Sequence, residues 1–271
     1  MSVTYKNMEL KVIAYAHNGH TDKFGIPRQS REESPILTRI VFEPEYNVRE
    51  ALRGIEGYSH LWLIWGFSEV QRDNVQCTKE WSPTVRPPRL GGNKRMGVFA
   101  TRSPFRPNPI GLSSVKLIEV RRDQVPSTKD GRMELIVSGA DVLDGTPIYD
   151  IKPYLSFSDS HPEAQNGFAE ETKDYQLEVR FAELVTGENK HKSKQKVAFN
   201  TDKVAEIPNW VLEDIKYILS QDPRPAYQND PARVYKMDYA GWRVEFHVEE
   251  TTGKKENVKS QLYIHSIYRI A

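Results

Sequence analysis

Hydrophobic positions in the first half of the chain come in short runs rich in β-branched and aromatic residues. These runs are Val12–Tyr15, Ile36–Phe42, Leu61–Phe67, Met96–Thr101, Ser114–Val120, Met133–Val137 and Pro147–Tyr154, separated by Gly, Pro and Asn clusters. That spacing predicts an antiparallel sheet or barrel. Alternation is clearest over Val115-Lys116-Leu117-Ile118-Glu119-Val120, where apolar and polar positions roughly trade places. A helix is expected over Val48–Gly57, with Ala51, Leu52 and Ile55 on one face and Gly57 as its C-cap. The polar stretch Ser156–Thr172, which holds Pro162 and Gly167, divides the chain. A first unit over 1–158, a linker over 159–172 and a smaller second unit over 173–271 follow. In the second unit Gln176–Leu184 reads as a strand, and Pro208–Ser220 as a helix by the spacing of Trp210, Val211, Ile215, Ile218 and Leu219. Asp222-Pro223-Arg224-Pro225 ends that helix. Tyr239–Val248 and Gln261–Ile270 then form a hairpin around Thr251–Lys255. Strands outnumber helices and the repeating βαβ unit is missing, so the fold class is mainly β, in the α+β sense.

Composition narrows the function classes. Apolar residues make up 38% of 271, enough for a packed core. Lys+Arg (38) and Asp+Glu (37) nearly cancel, so a polyanion can be met only at a local patch. Such a patch is present in sequence: from Ser82 to Ile118 there is no acidic residue, while Arg86, Arg89, Lys94, Arg95, Arg102, Arg106 and Lys116 are all basic. Prolines at 83, 87, 88, 104, 107 and 109 stiffen this segment. Rigid loops bearing arginines suit phosphate recognition; equally, arginines can tie proline loops down by capping carbonyls. Lysines at 190, 192, 194 and 196 read either as a solubilised edge arm or as a phosphate-facing one. The single cysteine, Cys77, excludes a disulfide framework and a multi-cysteine zinc site. No basic-then-apolar leader opens the chain, and the run Leu61–Phe67 is far short of a membrane span. A soluble, reduced, cytoplasmic protein is expected.

The familiar chemical signatures are missing: no G-x-G-x-x-G, no phosphate loop, no H-E-x-x-H, no G-x-S-x-G, and histidines not clustered at ligand spacing. No metal is expected. One constellation remains, Asp141-Val142-Leu143-Asp144-Gly145-Thr146-Pro147, with two carboxylates beside a glycine turn. Close carboxylates there can hold ribose hydroxyls or a cationic ligand; aspartates bonding their own backbone in a strand–turn–strand connection fit as well.

The strings Pro27-Arg28-Gln29, Pro83–Asn93, Gly97–Gly111, Asp144–Tyr154 and Asp222–Tyr227 closely resemble those of the TsaA/YaeB family, the bacterial tRNA methyltransferase O family, over both units. The resemblance implies a β-barrel-like domain that binds S-adenosylmethionine without a dinucleotide-type sheet, and a homodimer with the cofactor near the subunit interface. It also implies methylation of N6 of threonylcarbamoyladenosine at position 37 of threonine tRNA. Carried over by motif, the cofactor pocket would use Pro27, Arg28, Gln29, Ser68, Glu69, Arg102, Leu112, Asp141, Val142, Leu143 and Asp144. Asp144 is the expected proton acceptor. Arg86, Arg89, Arg106, Arg224 and Tyr227 would meet the anticodon stem-loop. Two other readings compete: a tRNA-binding module of the same fold without catalysis, disfavoured by the intact Asp141–Tyr154 string, and a methyltransferase with a different substrate.

Overall fold

In a computed structural model, residues 9–68, 81–87, 90, 94–123, 132–172, 175–182, 207–224, 230, 232–250 and 260–270 are described. Six strands close into a barrel: β1 (Ala14–His17), β2 (Leu37–Phe42), β3 (His60–Gly66), β6 (Ile110–Asp123), β7 (Arg132–Ser138) and β8 (Thr146–Pro153), in the order β1-β2-β7-β6-β3-β8. Every pairing around it is antiparallel. Closure follows from period-two patterning. Ile40 and Phe42 from β2, Leu61, Leu63 and Trp65 from β3, Val115 from β6, Leu135 and Val137 from β7 and Ile148 from β8 all point inward and are buried. Ala14 and Ala16 keep β1 thin. On β7 the buried Glu134 breaks the apolar rule and is held by a two-pronged pair with Arg39 at 3.0 and 2.7 Å.

Two short strands, β4 (Thr84–Val85) and β5 (Met96–Gly97), pair beside the barrel. The expected strand Met96–Thr101 stops at Gly97 and continues as a 3-10 turn over Val98–Ala100. The expected helix over Val48–Gly57 is instead two 3-10 turns, Arg49–Leu52 and Ile55–Gly57. Gly54, at φ +88°, lies in the left-handed region between them and prevents a continuous α-helix.

After a one-turn helix α1 (Ser156–Asp159) comes a second sheet of order β10-β11-β12-β9, made of β9 (Glu178–Phe181), β10 (Tyr235–Tyr239), β11 (Trp242–Glu250) and β12 (Ser260–Arg269). Helix α2 (Asn209–Ser220) presents Val211, Ile215, Ile218 and Leu219 to the same core as Met237, Val244, Phe246, Leu262 and Ile264. Trp210, grouped with that stripe by spacing, is exposed. The expected hairpin is the β11–β12 pair, and β10 adds a strand the pattern did not reveal, turned back through Ala240 and Gly241 in the left-handed region. The chain between β1 and β2 joins the two halves: Ile36 and Phe24 pack into this second core, although both precede β2.

Candidate active site

The mouth of the barrel lies where β1 ends, β2 begins, β7 ends and β8 begins. Six of the expected pocket residues converge there: Gln29, Arg102 and the four residues of the Asp141–Asp144 turn. Asp141 follows β7 and accepts a short hydrogen bond from the Ser113 hydroxyl, while Trp65 Nε1 donates to Ser113 Oγ at 2.8 Å. Trp65 can lie over β6 because Gly111 has no side chain: a Cβ there would sit inside the indole ring. Burial pushes the Asp141 carboxyl above its usual range; the Ser113 bond, backbone N–H groups including that of Ser30, and the nearby charge of Arg102 pull the other way. Arg102 in turn donates a short hydrogen bond to Gln29 Oε1, so the Gln29–Ser30 loop, Arg102 and Asp141 form one arc.

The second carboxylate is set from β1. Asp144 Oδ1 is 3.2 Å from both His17 Nδ1 and the Asn18 N–H. Asn18 reaches further, donating through Nδ2 to the Val142 carbonyl at 3.0 Å and to Thr38 Oγ1 at 3.3 Å. The turn is closed by backbone bonds from Asp144 N to His20 O (2.9 Å) and Gly145 N to Ala16 O (2.8 Å). Its other side docks on the second sheet. Ala240 N donates to Gly19 O at 2.8 Å, and the His20 ring meets Tyr239 edge-on at 5.2 Å. Tyr239 is fixed by a 2.6 Å bond to Asp214. Asn18-Gly19-His20 is therefore a three-residue strap from the β10–β11 hairpin to the Asp141–Asp144 turn.

The remaining expected residues lie elsewhere. Arg28 Nη2 donates to the Arg224 carbonyl at 2.6 Å, and Pro27 sits with it against Ile218, Asp222 and Pro223, so both face the seam between the two units. Leu112 precedes Ser113 but points outward, exposed, into a shallow depression of about 370 Å³ shared with Trp62, Ile64, Lys152 and His161. Ser68 follows Phe67 at the end of β3. Arg86 is exposed beside β4; Arg106 is half-buried and donates to the Thr101 carbonyl at 2.8 Å. Arg224 is buried and grips Asp222 at 2.8 and 3.0 Å. Glu69, Arg89, Tyr227, Cys77 and the Lys190–Lys196 arm lie outside the described residues. Sequence reasoning missed His17, Asn18, Ser30, Thr38 and Ser113. Only the Asn18-Gly19 dipeptide, a turn signal, hinted at any of them. Among the described residues no cluster of three or more His, Cys, Asp or Glu could hold a metal, and no helix is long and apolar enough to cross a membrane.

A family model described as the tRNA-methyltransferase O N-terminal domain matches residues 15–160, and one for the C-terminal domain matches residues 174–261. The chain belongs to the tRNA-methyltransferase O family. Among its relatives, the tRNA (adenine(37)-N6)-methyltransferase of Eikenella corrodens is 43% identical over 193 residues, covering 71% of this chain and 92% of that one. A protein of Pseudomonas aeruginosa, named as a candidate S-adenosylmethionine-dependent methyltransferase, is 36% identical over 236 residues, covering 87% of this chain and 89% of its own. The crystal structure of the tRNA-methyltransferase O protein from P. aeruginosa superposes with a TM-score of 0.66 at 27% identity, over 99% of this chain and 100% of that chain. In this member of the family the arc of Gln29, Arg102 and Asp141 lies in the region matched by the N-terminal model.

Proposed function

We propose that the chain is an S-adenosylmethionine-dependent tRNA methyltransferase that acts on N6 of threonylcarbamoyladenosine at position 37 of threonine tRNA. The observation that carries this reading is the convergence of Gln29, Arg102, Ser113 and Asp141 on one mouth of the barrel, in a chain of this family. The donor set fits the cofactor. Asp141 and Asp144 offer acceptors for ribose hydroxyls and negative charge for a sulfonium, the Val142–Gly145 backbone offers groups for adenine, and Arg102 offers a positive charge for a carboxylate. When bound, S-adenosylmethionine supplies an electrophilic methyl group.

The chain's own task is positional: to hold the acceptor nitrogen on the line of displacement and keep water out. Losing its proton makes that urea-like nitrogen a better nucleophile, and in this reading Asp144 accepts it. With Asp144 Oδ1 engaged by His17 and Asn18, the proton would go to the other oxygen. On the RNA side, exposed Arg86 and the neighbouring Arg89 meet phosphates, and Tyr227 meets the anticodon loop. Arg106 and Arg224 support the loops that carry these contacts, since Arg106 ties Thr101 and Arg224 is paired with Asp222. Unit 1–158 holds the cofactor and part of the RNA surface, and unit 173–271, joined to it by 159–172, adds the tRNA contact at Tyr227. The protein works in the cytoplasm as a homodimer, with the apolar outer wall of Trp62, Ile64, Leu112 and Phe157 covered by the second copy.

The test is transfer of a labelled methyl group from S-adenosylmethionine to tRNA purified with or without threonylcarbamoylation. Label is expected only in the threonylcarbamoylated tRNA. Equal labelling of both, or none of either, would overturn the substrate assignment.

A further inference from the structure

The loop that follows β5 exposes aromatic rings that neither core uses. Phe99 is 72% exposed and Phe105 63%; Trp81 lies beside Phe99, ring centres 5.8 Å apart and tilted by 39°. Scattered exposed apolar residues are ordinary. Here the backbone beneath them is tightly built. Val98 is buried and its N–H bonds the Pro83 carbonyl at 2.9 Å; Thr101 Oγ1 bonds the Val98 carbonyl at 2.9 Å; Arg106 spans back to Thr101. Arg102, midway between the two phenylalanines in sequence, is fastened to Gln29 and so to the Asp141 arc. The rings are thus presented to water by a rigid scaffold next to the barrel mouth. The segment that carries them holds one sign of charge: Arg86, Arg95 and Arg102 lie in it, and residues 82–118 contain no acid.

We propose that Phe99 and Phe105 form a stacking platform for unpaired nucleobases of the RNA loop that carries the target adenosine. This inference rests on the tRNA reading above. An anionic partner with flat apolar faces is a single-stranded nucleic acid, whose bases stack on aromatic side chains while arginines meet its phosphates. A second copy of the chain would bring the exposed Arg86 and Arg95 against their own counterparts, so charge favours RNA as the occupant.

The experiment uses the full chain and an anticodon stem-loop RNA that carries threonylcarbamoyladenosine at the target position with 2-aminopurine beside it. Phe99→Leu and Phe105→Leu keep bulk and apolarity but remove the ring; Phe99→Trp and Phe105→Trp restore it. Each leucine variant is expected to weaken stem-loop binding by about five- to a hundred-fold and to lose the 2-aminopurine response, and each tryptophan variant to recover both. The slope of log affinity against log salt stays as in the wild type, because no phosphate contact is removed, whereas Arg86→Ala lowers it by about one. Cofactor affinity and thermal midpoint stay unchanged. Leucine variants that bind like wild type, or that change the oligomeric state on sedimentation, would overturn the platform alone, provided wild type binds and methylates the RNA. Wild-type protein that fails to bind the stem-loop would overturn the tRNA reading together with it.

Discussion

Acid should destabilise this fold through one buried histidine. His20 is 2% exposed, its Nε2 has no hydrogen-bond partner among the described residues, and its ring is enclosed at Tyr239. Burial depresses its pKa from 6.5 to about 4. The folded state then refuses a proton that the unfolded chain accepts, so stability is fully present above about pH 6.5 and is lost as pH falls toward 4. At about 1.4 kcal/mol per pH unit, moving from pH 7 to pH 5 removes roughly 2 kcal/mol, and the whole window is worth roughly 3. Urea denaturation followed by tryptophan fluorescence at the two pH values measures it. A His20→Phe variant keeps the aromatic contact and lacks the proton site, so its stability should fall by roughly 2 kcal/mol less than wild type over the same interval. His265, also depressed by burial, adds to the acid loss, while Asp141 and Asp214, raised by burial, oppose it. All three remain in the variant, so the difference belongs to His20. Equal losses in both proteins would refute the claim that the His20 ring is held unprotonated in the fold. Because His20 O holds the Asp144 N–H, cofactor KM is expected to rise over the same range.

Other perturbations have equally definite outcomes. Gly19→Ala puts a Cβ 2.5 Å from Tyr239 Cζ, and Tyr239 cannot yield without leaving Asp214, so a loss of about 1–3 kcal/mol by thermal denaturation should come with a raised cofactor KM. Asp141→Asn removes a carboxylate that burial disfavours, so calorimetry should show cofactor affinity lowered tenfold or more while thermal stability holds or rises. Arg39→Ala strips the two-pronged partner from buried Glu134; chemical denaturation should show a loss of roughly 2–4 kcal/mol, moderated because Arg39 itself is half exposed.

The barrel was readable because its strands are short runs rich in β-branched and aromatic residues between Gly, Pro and Asn clusters, with polar and apolar positions roughly alternating over Val115–Val120 of β6. Local departures were harder. The Val48–Gly57 segment has helical apolar spacing, yet Gly54 in the left-handed region splits it, and Trp210 shares the α2 stripe in spacing while pointing to solvent. Packing of Phe24 and Ile36 into the second core depends on contacts across some two hundred residues, which no local pattern records. The site divides the same way. Asp141, Asp144, Gln29 and Arg102 stood out by motif; Ser113, Ser30 and Asn18 gain their roles only when β1, β6 and β7 meet at one mouth. The family resemblance put Arg224 among the residues expected to meet the anticodon stem-loop, but its pairing with Asp222 two residues earlier appears only in the folded loop.

The most direct test of the central reading is nucleoside mass spectrometry. Threonine tRNA carrying threonylcarbamoyladenosine would be incubated with the protein and S-adenosylmethionine, digested, and compared with the same reaction run with Asp141→Asn. One added methyl on threonylcarbamoyladenosine, dependent on the cofactor and diminished in the variant, is the predicted result. A methyl found on a different nucleoside, or wild-type yield from the variant, would contradict it.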